Sequence, residues 1–384
     1  MLACITLGIL TGHLTLRGII LWCSRNLKKL SKYMPLENGI ASLSTMSRIL
    51  SGIDEQMFAI IVMIWMSQIT GTRNAIIAID GKGLRAGTEK IKGGRTPYVL
   101  NAFNAGTGLA IGHLPIDEKK NEITAIPELL KLLDIQGSIV TIDAIGTQTA
   151  IMKQIVENGG HFVLQVKKNQ LEAYENILGF FNNFNIRQRP DLQTKYSMKE
   201  TAEKNRERYE YRQAEVISDP ETFQKLKTDW PFVRTFGVVK QTRIDIIRDK
   251  DGNDVTPDLE TFLRKGSSRQ PDPTTGDDKK DDTQIIGIIS DLDLTAKDIL
   301  DIKRGHWKIE VYHHVTDRQL REDESPATRS KNNLALLRKL AYNLIQLAKI
   351  DLKEQMGTSE WMDLFAGDPK LQRRYVFSRI ASLY

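Results

Sequence analysis

The chain has 384 residues, 41% of them hydrophobic and 27% charged, so it is long enough for two or three domains and has the composition of a soluble protein. Its net charge of +6 favours a polyanionic partner such as nucleic acid. Two cysteines exclude a disulfide framework, and apolar runs too short to span a bilayer exclude a membrane protein, so we expect a cytoplasmic location.

Residues 1–70 are predicted to form short helices separated by turns. A helix start is expected near Ser44, where serine and threonine side chains can cap a first turn. Basic residues recur along this region, at Arg17, Lys28, Lys29, Lys32 and Arg48. The pattern suits a small DNA-binding bundle, and it equally suits a helical dimerisation or packing module.

Residues 71–190 combine short apolar runs with helical patterns. AIIAID, YVLNAFNA and LAIGHLPI are predicted to be strands in hairpin succession. The helix EITAIPELLKLL, the strand SIVTIDA, the helix TQTAIMKQIVENGG, the strand HFVLQV and the helix QLEAYENILGFF follow. This order is that of the ribonuclease-H-like fold, an α/β fold with a mixed sheet.

Residues 191–292 are predicted to be a β-rich insertion, with strands at YEYRQAEVI, WPFVRTFGVVKQTRI and TQIIGIIS. Within it, residues 249–282 are polar and rich in Gly, Pro and Asp, so we expect a flexible loop there. Residues 293–384 return to long helical patterns, which we expect to complete the α/β core.

Two carboxylates occur in matched contexts, because AIIAIDGK and SIVTIDAI are both apolar strands that end in Ile-Asp. In the predicted fold these strands are parallel neighbours, which would bring Asp80 and Asp143 together. Carboxylates that are close together repel each other unless a cation lies between them, and oxygen ligands suit Mg²⁺ or Mn²⁺. The alternative for each aspartate is an ordinary cap of a helix or turn.

A polar stripe follows later in the chain. His306, Glu310, His313 and Asp317 have the spacing of one helical face. Glu310 is the candidate third carboxylate of the metal site, and the alternative is a solvated face. A His-Glu-His zinc site on this helix is disfavoured, because the spacing is not H-E-x-x-H.

Basic residues lie close to both aspartates. GKGLRAG has the wrong glycine spacing for a dinucleotide loop and no helix follows it. Lys82 and Arg85 in this segment are better interpreted as phosphate contacts near the metal site, or as plain surface charges. The run Lys167-Lys168-Asn169-Gln170, at the end of the HFVLQV strand, has the same two interpretations.

Several segments together resemble a known family. They are AIDGKGLRAG, KKNEITAIPELLKLLDIQGSIVTIDAIGTQ, GGHFVLQVKKNQ, RGHWKIE with HHVTD and LRED after it, and NNLALLRKLAYNLI. The chain is similar to the DDE transposases of bacterial insertion sequences, in the branch of H-repeat-associated proteins. The resemblance begins at about residue 35, and its most specific block is residues 120–170.

The resemblance implies an enzyme that cleaves and joins DNA with two Mg²⁺ or Mn²⁺ ions. Asp80 and Asp143 match the two catalytic aspartates and Glu310 matches the catalytic glutamate, all three binding metal. His306 is expected to hold a DNA phosphate or to orient Glu310. The implied partners are double-stranded DNA, as terminal inverted repeats and target DNA, and a second copy of the chain in a homodimeric DNA complex.

Some positions depart from the family pattern. Related transposases carry a Tyr-x-x-Arg-x-x-x-Glu-x-x-x-x-x-x-Lys signature, whose places here hold Lys303, His306, Glu310 and Asp317. The family's Asn after the glutamate is Val311. The N-terminus is expected to begin inside the helical DNA-binding unit. Two alternatives therefore stay open: a catalytically impaired DNA-binding relic, and a structure-specific nuclease of the same fold.

Overall fold

The chain folds into two units, and each unit combines separate stretches of sequence. The computed structural model describes residues 1–84, 97–116, 121–205, 207–256, 258–261, 283–324 and 330–378. The first unit consists of Met1–Thr141, Gln154–Gly160 and Arg304–Tyr384, and the second of Ile142–Lys153 and His161–Lys303. Arg85 and most of the predicted loop 249–282 lie outside the described residues. The predicted domain boundaries differ from these units and stay a prediction.

The first 70 residues are helical, as predicted. The helices are α1 (Leu2–Leu10), α2 (Leu16–Arg25), α3 (Leu27–Leu30), α4 (Leu43–Gly52) and α5 (Glu55–Thr70). Side chains cap three of them, because Thr15, Ser42 and Asp54 each accept a hydrogen bond from the backbone N–H three residues later. The start expected near Ser44 is therefore capped by Ser42.

The sheet of the first unit has the strand order β3-β2-β1-β4. Its strands are β1 (Ile76–Gly83), β2 (Tyr98–Asn104), β3 (Leu109–Ile116) and β4 (Ile139–Ile142). Strand β2 is antiparallel to both β1 and β3. Strand β4 runs with β1, since the Ile139 N–H donates to the Ala75 carbonyl and the Thr141 hydroxyl contacts the Ile77 carbonyl. The sheet is therefore mixed, and α6 (Glu122–Lys131) connects β3 to β4.

The second unit contains a sheet in which every described pairing is antiparallel, in the order β5-β9-β8-β7-β6. Its strands are β5 (His161–Val166), β6 (Tyr196–Asn205), β7 (Arg208–Ile217), β8 (Thr235–Asp245) and β9 (Thr283–Ser290). Helix α7 (Thr149–Glu157) precedes β5 in the chain, and helices α8 (Leu171–Asn183) and α9 (Gln224–Asp229) lie between strands of this sheet in the chain. The β-rich character predicted for this stretch is present, and β6 is a strand that the sequence pattern did not indicate.

The C-terminal part is helical, as predicted. It contains α10 (Ala296–Arg318), α11 (Lys331–Leu352), α12 (Thr358–Gly367) and α13 (Pro369–Gln372). Helix α11 is mostly buried and closes the edge of the first sheet at β3. The Asn343 side chain accepts from the N–H of Ala110 at 2.9 Å and donates to its carbonyl at 2.8 Å, and Lys339 donates to the Gly112 carbonyl.

The described residues contain no single helix with the length and apolarity to cross a membrane. Helices α4 and α5 reach that length only as a pair, and they are bent by 83° where they meet.

Candidate active site

Asp80 is the fifth of the eight residues of β1 and follows the buried residues Ile77, Ala78 and Ile79. Its side chain is 26% exposed, and its cross-strand partner on β2 is Asn101. Paired residues on neighbouring strands point to the same face of a sheet, so Asp80 and Asn101 share one face. The apolar run thus ends in a partly exposed carboxylate, but the strand continues through Gly83, so the expectation that Asp80 ends its strand is wrong.

His313 on α10 lies over these two residues. Its Nδ1 is 3.5 Å from Oδ2 of Asp80, and its Nε2 is 3.2 Å from Nδ2 of Asn101. Burial lowers the pKa of His313 to about 3, and the positive charges of Lys82, Lys339 and His306 act in the same direction. The imidazole is therefore neutral at physiological pH.

A second contact fixes α10 to the sheet one turn before Glu310. Nδ1 of the buried His306 lies 2.8 Å from the hydroxyl of Thr141 on β4. Gly305 lies close to β1, because a Cβ there would be 3.2 Å from the Ile76 side chain and would push it aside by a few tenths of an ångström. The polar stripe on α10 is thus not a solvated face at His306 and His313.

Glu310 lies on the same helical face, between the two contacts made by His306 and His313. It is exposed, unlike the two histidines. Among the described contacts, no hydrogen bond or ion pair is recorded for its carboxylate. The face of α10 that meets β1 at Asp80 therefore carries an accessible carboxylate.

Lys82 is placed differently from the sequence expectation of an exposed phosphate contact. Its side chain is only 9% exposed, and its ammonium donates to Thr316 at 2.7 Å and pairs with Asp317 at 2.6 Å and with Glu322. Burial would lower the pKa of Lys82, but the charges of Glu322 and Asp317 outweigh it and raise the pKa. These ion pairs disfavour a contact between Lys82 and a DNA phosphate. The predicted phosphate contact of Lys82 is untested.

Gly81 separates Asp80 from Lys82 and faces the opposite side of the sheet. A Cβ at this position would lie 2.5 Å from the Tyr98 ring and 2.8 Å from Oε1 of Glu122. Glu122 is buried at the start of α6. A side chain at position 81 would therefore require the Tyr98 ring and the Glu122 carboxylate to shift.

Asp143 belongs to the second unit and caps the short helical turn Ala144–Gly146. Its Oδ1 accepts from the Ile145 N–H at 2.9 Å. This is the capping role that the sequence left open as an alternative. Such a cap uses one carboxylate oxygen and is compatible with a further role for the other.

The segment after β5 holds this turn in position. Asn169 donates to the Ala144 carbonyl at 2.8 Å, and Gln170 donates to the Thr147 carbonyl. Both residues belong to the run for which the sequence indicated phosphate contacts or plain surface positions, and here their side chains bind the backbone of the turn. Lys167 is partly exposed and Lys168 is exposed in the same segment, so both lysines are accessible to a phosphate.

The side chains near Asp80 show which metal ion this region could bind. The described residues contain no cluster of three histidine, cysteine or acidic side chains that could hold a metal ion. Both ring nitrogens of His313 face other groups and Nδ1 of His306 faces Thr141, which disfavours a zinc site on α10. Asp80 and Glu310 offer carboxylate oxygens that are at least partly exposed, a donor type that fits Mg²⁺ or Mn²⁺.

Comparison with known proteins identifies the class. Residues 71–344 match the transposase DDE domain, and residues 1–66 match the region described as DDE_Tnp_1-associated. The chain therefore belongs to the DDE transposase family, whose members use divalent metal ions.

Relatives in Escherichia coli agree with this assignment. "Putative transposase YncI" of strain O157:H7 is 30% identical over 339 residues, covering 85% of this chain and 76% of that protein. "H repeat-associated putative transposase YhhI" of strain K12 is 29% identical over 325 residues, covering 84% and 77%. Among solved structures, a piggyBac transposase synaptic complex with hairpin DNA aligns with 99% of this chain and 71% of the piggyBac chain. The TM-score is 0.39 and the sequence identity is 10%, so this similarity does not establish a common fold.

Proposed function

We propose that this transposase cleaves and joins DNA through Asp80, Asp143 and Glu310, which bind two Mg²⁺ or Mn²⁺ ions on a ribonuclease-H-like core. When bound, the two ions activate the attacking water or DNA 3′-hydroxyl and stabilise the leaving oxygen of the scissile phosphate. The core assignment is supported by three hairpin-connected strands with β4 running beside β1.

The observation that carries the proposal is the attachment of α10 to the sheet on both sides of Glu310. His306 contacts Thr141 of β4, and His313 contacts Asp80 of β1. Glu310 is four residues after the first contact and three before the second, on the same face. Asp143 follows Thr141 by two residues, which is the spacing of side chains that share one face of an extended strand.

The chain's own residues would bind, orient and polarise the DNA. The three carboxylates would fix the position of the scissile phosphate for in-line attack. Lys167 and Lys168 would hold neighbouring phosphates without reading sequence. His306 is buried against Thr141, which supports its expected role of orienting α10 at Glu310 more than a direct phosphate contact.

The N-terminal helices are the second part of the proposed DNA interface. Residues 1–53 contain a single acidic residue, Glu37, and six exposed basic residues: Arg17, Arg25, Lys28, Lys29, Lys32 and Arg48. Such an excess of exposed positive charge favours contacts with phosphates. We propose that this surface binds the terminal inverted repeats while a pair of copies assembles on the two ends and the target.

The test is a cleavage and strand-transfer assay with the full chain, Mg²⁺ or Mn²⁺, and DNA that carries the element's own ends. Asp80→Asn, Asp143→Asn and Glu310→Gln should each abolish both reactions and leave DNA binding intact. In the proposed site the three carboxylates would repel one another without metal, so removing one charge should leave the melting temperature unchanged or raise it slightly. Asp301→Asn, at an exposed position of α10, is the matched control and should remain active.

Three results would contradict the proposal. Cleavage by Glu310→Gln would show that the third carboxylate is wrongly assigned, and Asp317 or Glu322 would then be substituted. Cleavage without strand transfer by the unchanged chain would indicate a structure-specific nuclease. Binding of the ends without cleavage in Mn²⁺ would indicate a DNA-binding relic.

A further inference from the structure

The imidazole of His313 lies between the side-chain amide of Asn101 and the first candidate metal ligand, Asp80. We propose that His313, oriented by Asn101, is a positioning residue that holds the Asp80 carboxylate in the orientation needed to bind a cation. This inference rests on the proposed function, because it assigns His313 a task only if Asp80 is a metal ligand.

The geometry supplies the first step. Asp80 and Asn101 are cross-strand partners on β1 and β2, so their side chains leave the sheet side by side. His313 reaches down from α10 and presents Nδ1 to Asp80 Oδ2 at 3.5 Å and Nε2 to Asn101 Nδ2 at 3.2 Å. Each ring nitrogen thus faces a different side chain.

The chemistry of these groups determines where the ring proton lies. A neutral imidazole has one N–H and one lone pair. The amide nitrogen of Asn101 only donates, so Nε2 accepts and the proton is on Nδ1, which faces a carboxylate that only accepts. The reversed tautomer would direct a lone pair at the carboxylate, so Asn101 selects the ring form that donates towards Asp80.

Lys82 does not take this role, although it follows Asp80 by two residues on the same face of β1. Its ammonium is directed to Thr316, Asp317 and Glu322. An ammonium on Asp80 would compete with a cation for the carboxylate charge, whereas a neutral N–H donor orients the carboxylate and leaves its charge in place. Donors of this kind behind a ligand commonly change metal affinity by about 10- to 100-fold.

Two substitutions of His313 can each replace only one of its two ring nitrogens, and so they test the two contacts independently. The amide nitrogen of asparagine can replace Nδ1–H, whereas the longer glutamine reaches the place of Nε2. His313→Asn should therefore keep a donor for Asp80, and His313→Gln should lose it. His314→Asn and His314→Gln, at the exposed neighbouring position of α10, are the matched controls.

The experiment uses the full chain and Mn²⁺ alone, with the Mn²⁺-dependent rise in melting temperature as the readout of cation affinity. The apparent Mn²⁺ affinity of His313→Gln should fall by about 10- to 100-fold, whereas that of His313→Asn should stay within about threefold of the unchanged chain. Asn101→Ala should also weaken it, because the ring loses the partner that selects its tautomer. The controls should not change the affinity.

Equal weakening by His313→Asn and His313→Gln, or no weakening by His313→Gln, would overturn the inference. If a His313 variant fails to fold, Asn101→Ala decides, and an unchanged affinity there is contrary to the proposal. Asp80→Asn in the same titration separates the two proposals. If the unchanged chain and Asp80→Asn respond equally to Mn²⁺, the proposed metal site itself fails. If only Asp80→Asn loses the response, the role of His313 alone is refuted.

Discussion

The ammonium of Lys82 lies 2.6 Å from Oδ1 of Asp317, and this pair joins the end of β1 to the last turn of α10. Glu322, just beyond that helix, contacts the same ammonium. The two elements that carry Asp80 and Glu310 are therefore held together by a largely buried group of charges two residues from Asp80. In the contacts that the structure describes, the Lys82 ammonium holds β1 against α10 and does not point to the protein surface.

Lys82→Met should reduce the free energy of unfolding by about 3–5 kcal/mol, because it leaves buried carboxylates without their cation. Arg321→Met is the control. The Arg321 pair with Glu324 is more than half exposed, and such pairs contribute about 0–1 kcal/mol. Denaturant unfolding measures both, and an equally small effect of the two substitutions would mean that the Lys82 pairs contribute little.

Gly81→Ala should destabilise the fold by about 1–3 kcal/mol, since a Cβ there would overlap the Tyr98 ring and the Glu122 carboxylate. It should also reduce cleavage, because β1 must shift next to Asp80. Gly179→Ala in α8 is the control: a Cβ at this position meets nothing within 4 Å, and alanine favours a helix. Thermal melts measure both variants. An unchanged melting temperature for Gly81→Ala would show that Glu122 can move aside without cost.

The stability of the fold should fall as the pH decreases below about 6.5, in part through His113. Burial lowers the pKa of His113 well below its ordinary value, and the charges of Lys339 and Lys82 add to this. The folded chain thus keeps the ring neutral while the unfolded chain takes up a proton, so stability is present above the unfolded pKa and lost below it.

Unfolding free energies measured between pH 5 and 6.5 check this. His113→Leu should make their pH dependence shallower, by about 0.7 kcal/mol per pH unit at pH 6.5 and approaching about 1.4 kcal/mol per pH unit at pH 5. The exposed His314→Gln should leave the slope unchanged. A slope that is identical in His113→Leu and the unchanged chain is the contrary result.

DNA affinity should decrease steeply with salt, and part of that dependence should come from Lys167 and Lys168. Replacing both by alanine should reduce the slope of log affinity against log salt by about 1.8, if each lysine neutralises one phosphate. Lys353→Ala with Lys370→Ala, both at exposed positions, is the matched control. Binding isotherms at several salt concentrations provide the slopes, and equal slopes for the two double variants would remove both lysines from the interface.

Much of the local structure could be predicted because it follows from short-range patterning. The run HFVLQV is β5 with the same bounds, and YVLNAFNA and LAIGHLPI contain β2 and β3. Strand β6 was missed, because most of its residues are polar and at least partly exposed, so neither apolar alternation nor a buried run marks it. It is defined by its pairing with β7, which is a tertiary property.

The contacts of the site could not be predicted in the same way. The charge of Lys82 is evident from the sequence, but Asp317, which faces it, is 235 positions away in the chain. The same holds for Asn101 and His313, which are separated by 212 positions. A spacing rule can group residues on one helix, yet it does not reveal which strand that helix will meet.

The Asn343 side chain covers part of the outer edge of the first sheet at β3. Strand β3 is last in its strand order, and a bare outer strand is a template on which another chain can add a strand. The Asn343 amide imitates a neighbouring backbone by bonding both the N–H and the carbonyl of Ala110, and Lys339 occupies the carbonyl of Gly112. Helix α11 thus blocks the addition of another strand to β3. We infer that aggregation through β3 requires α11 to detach first.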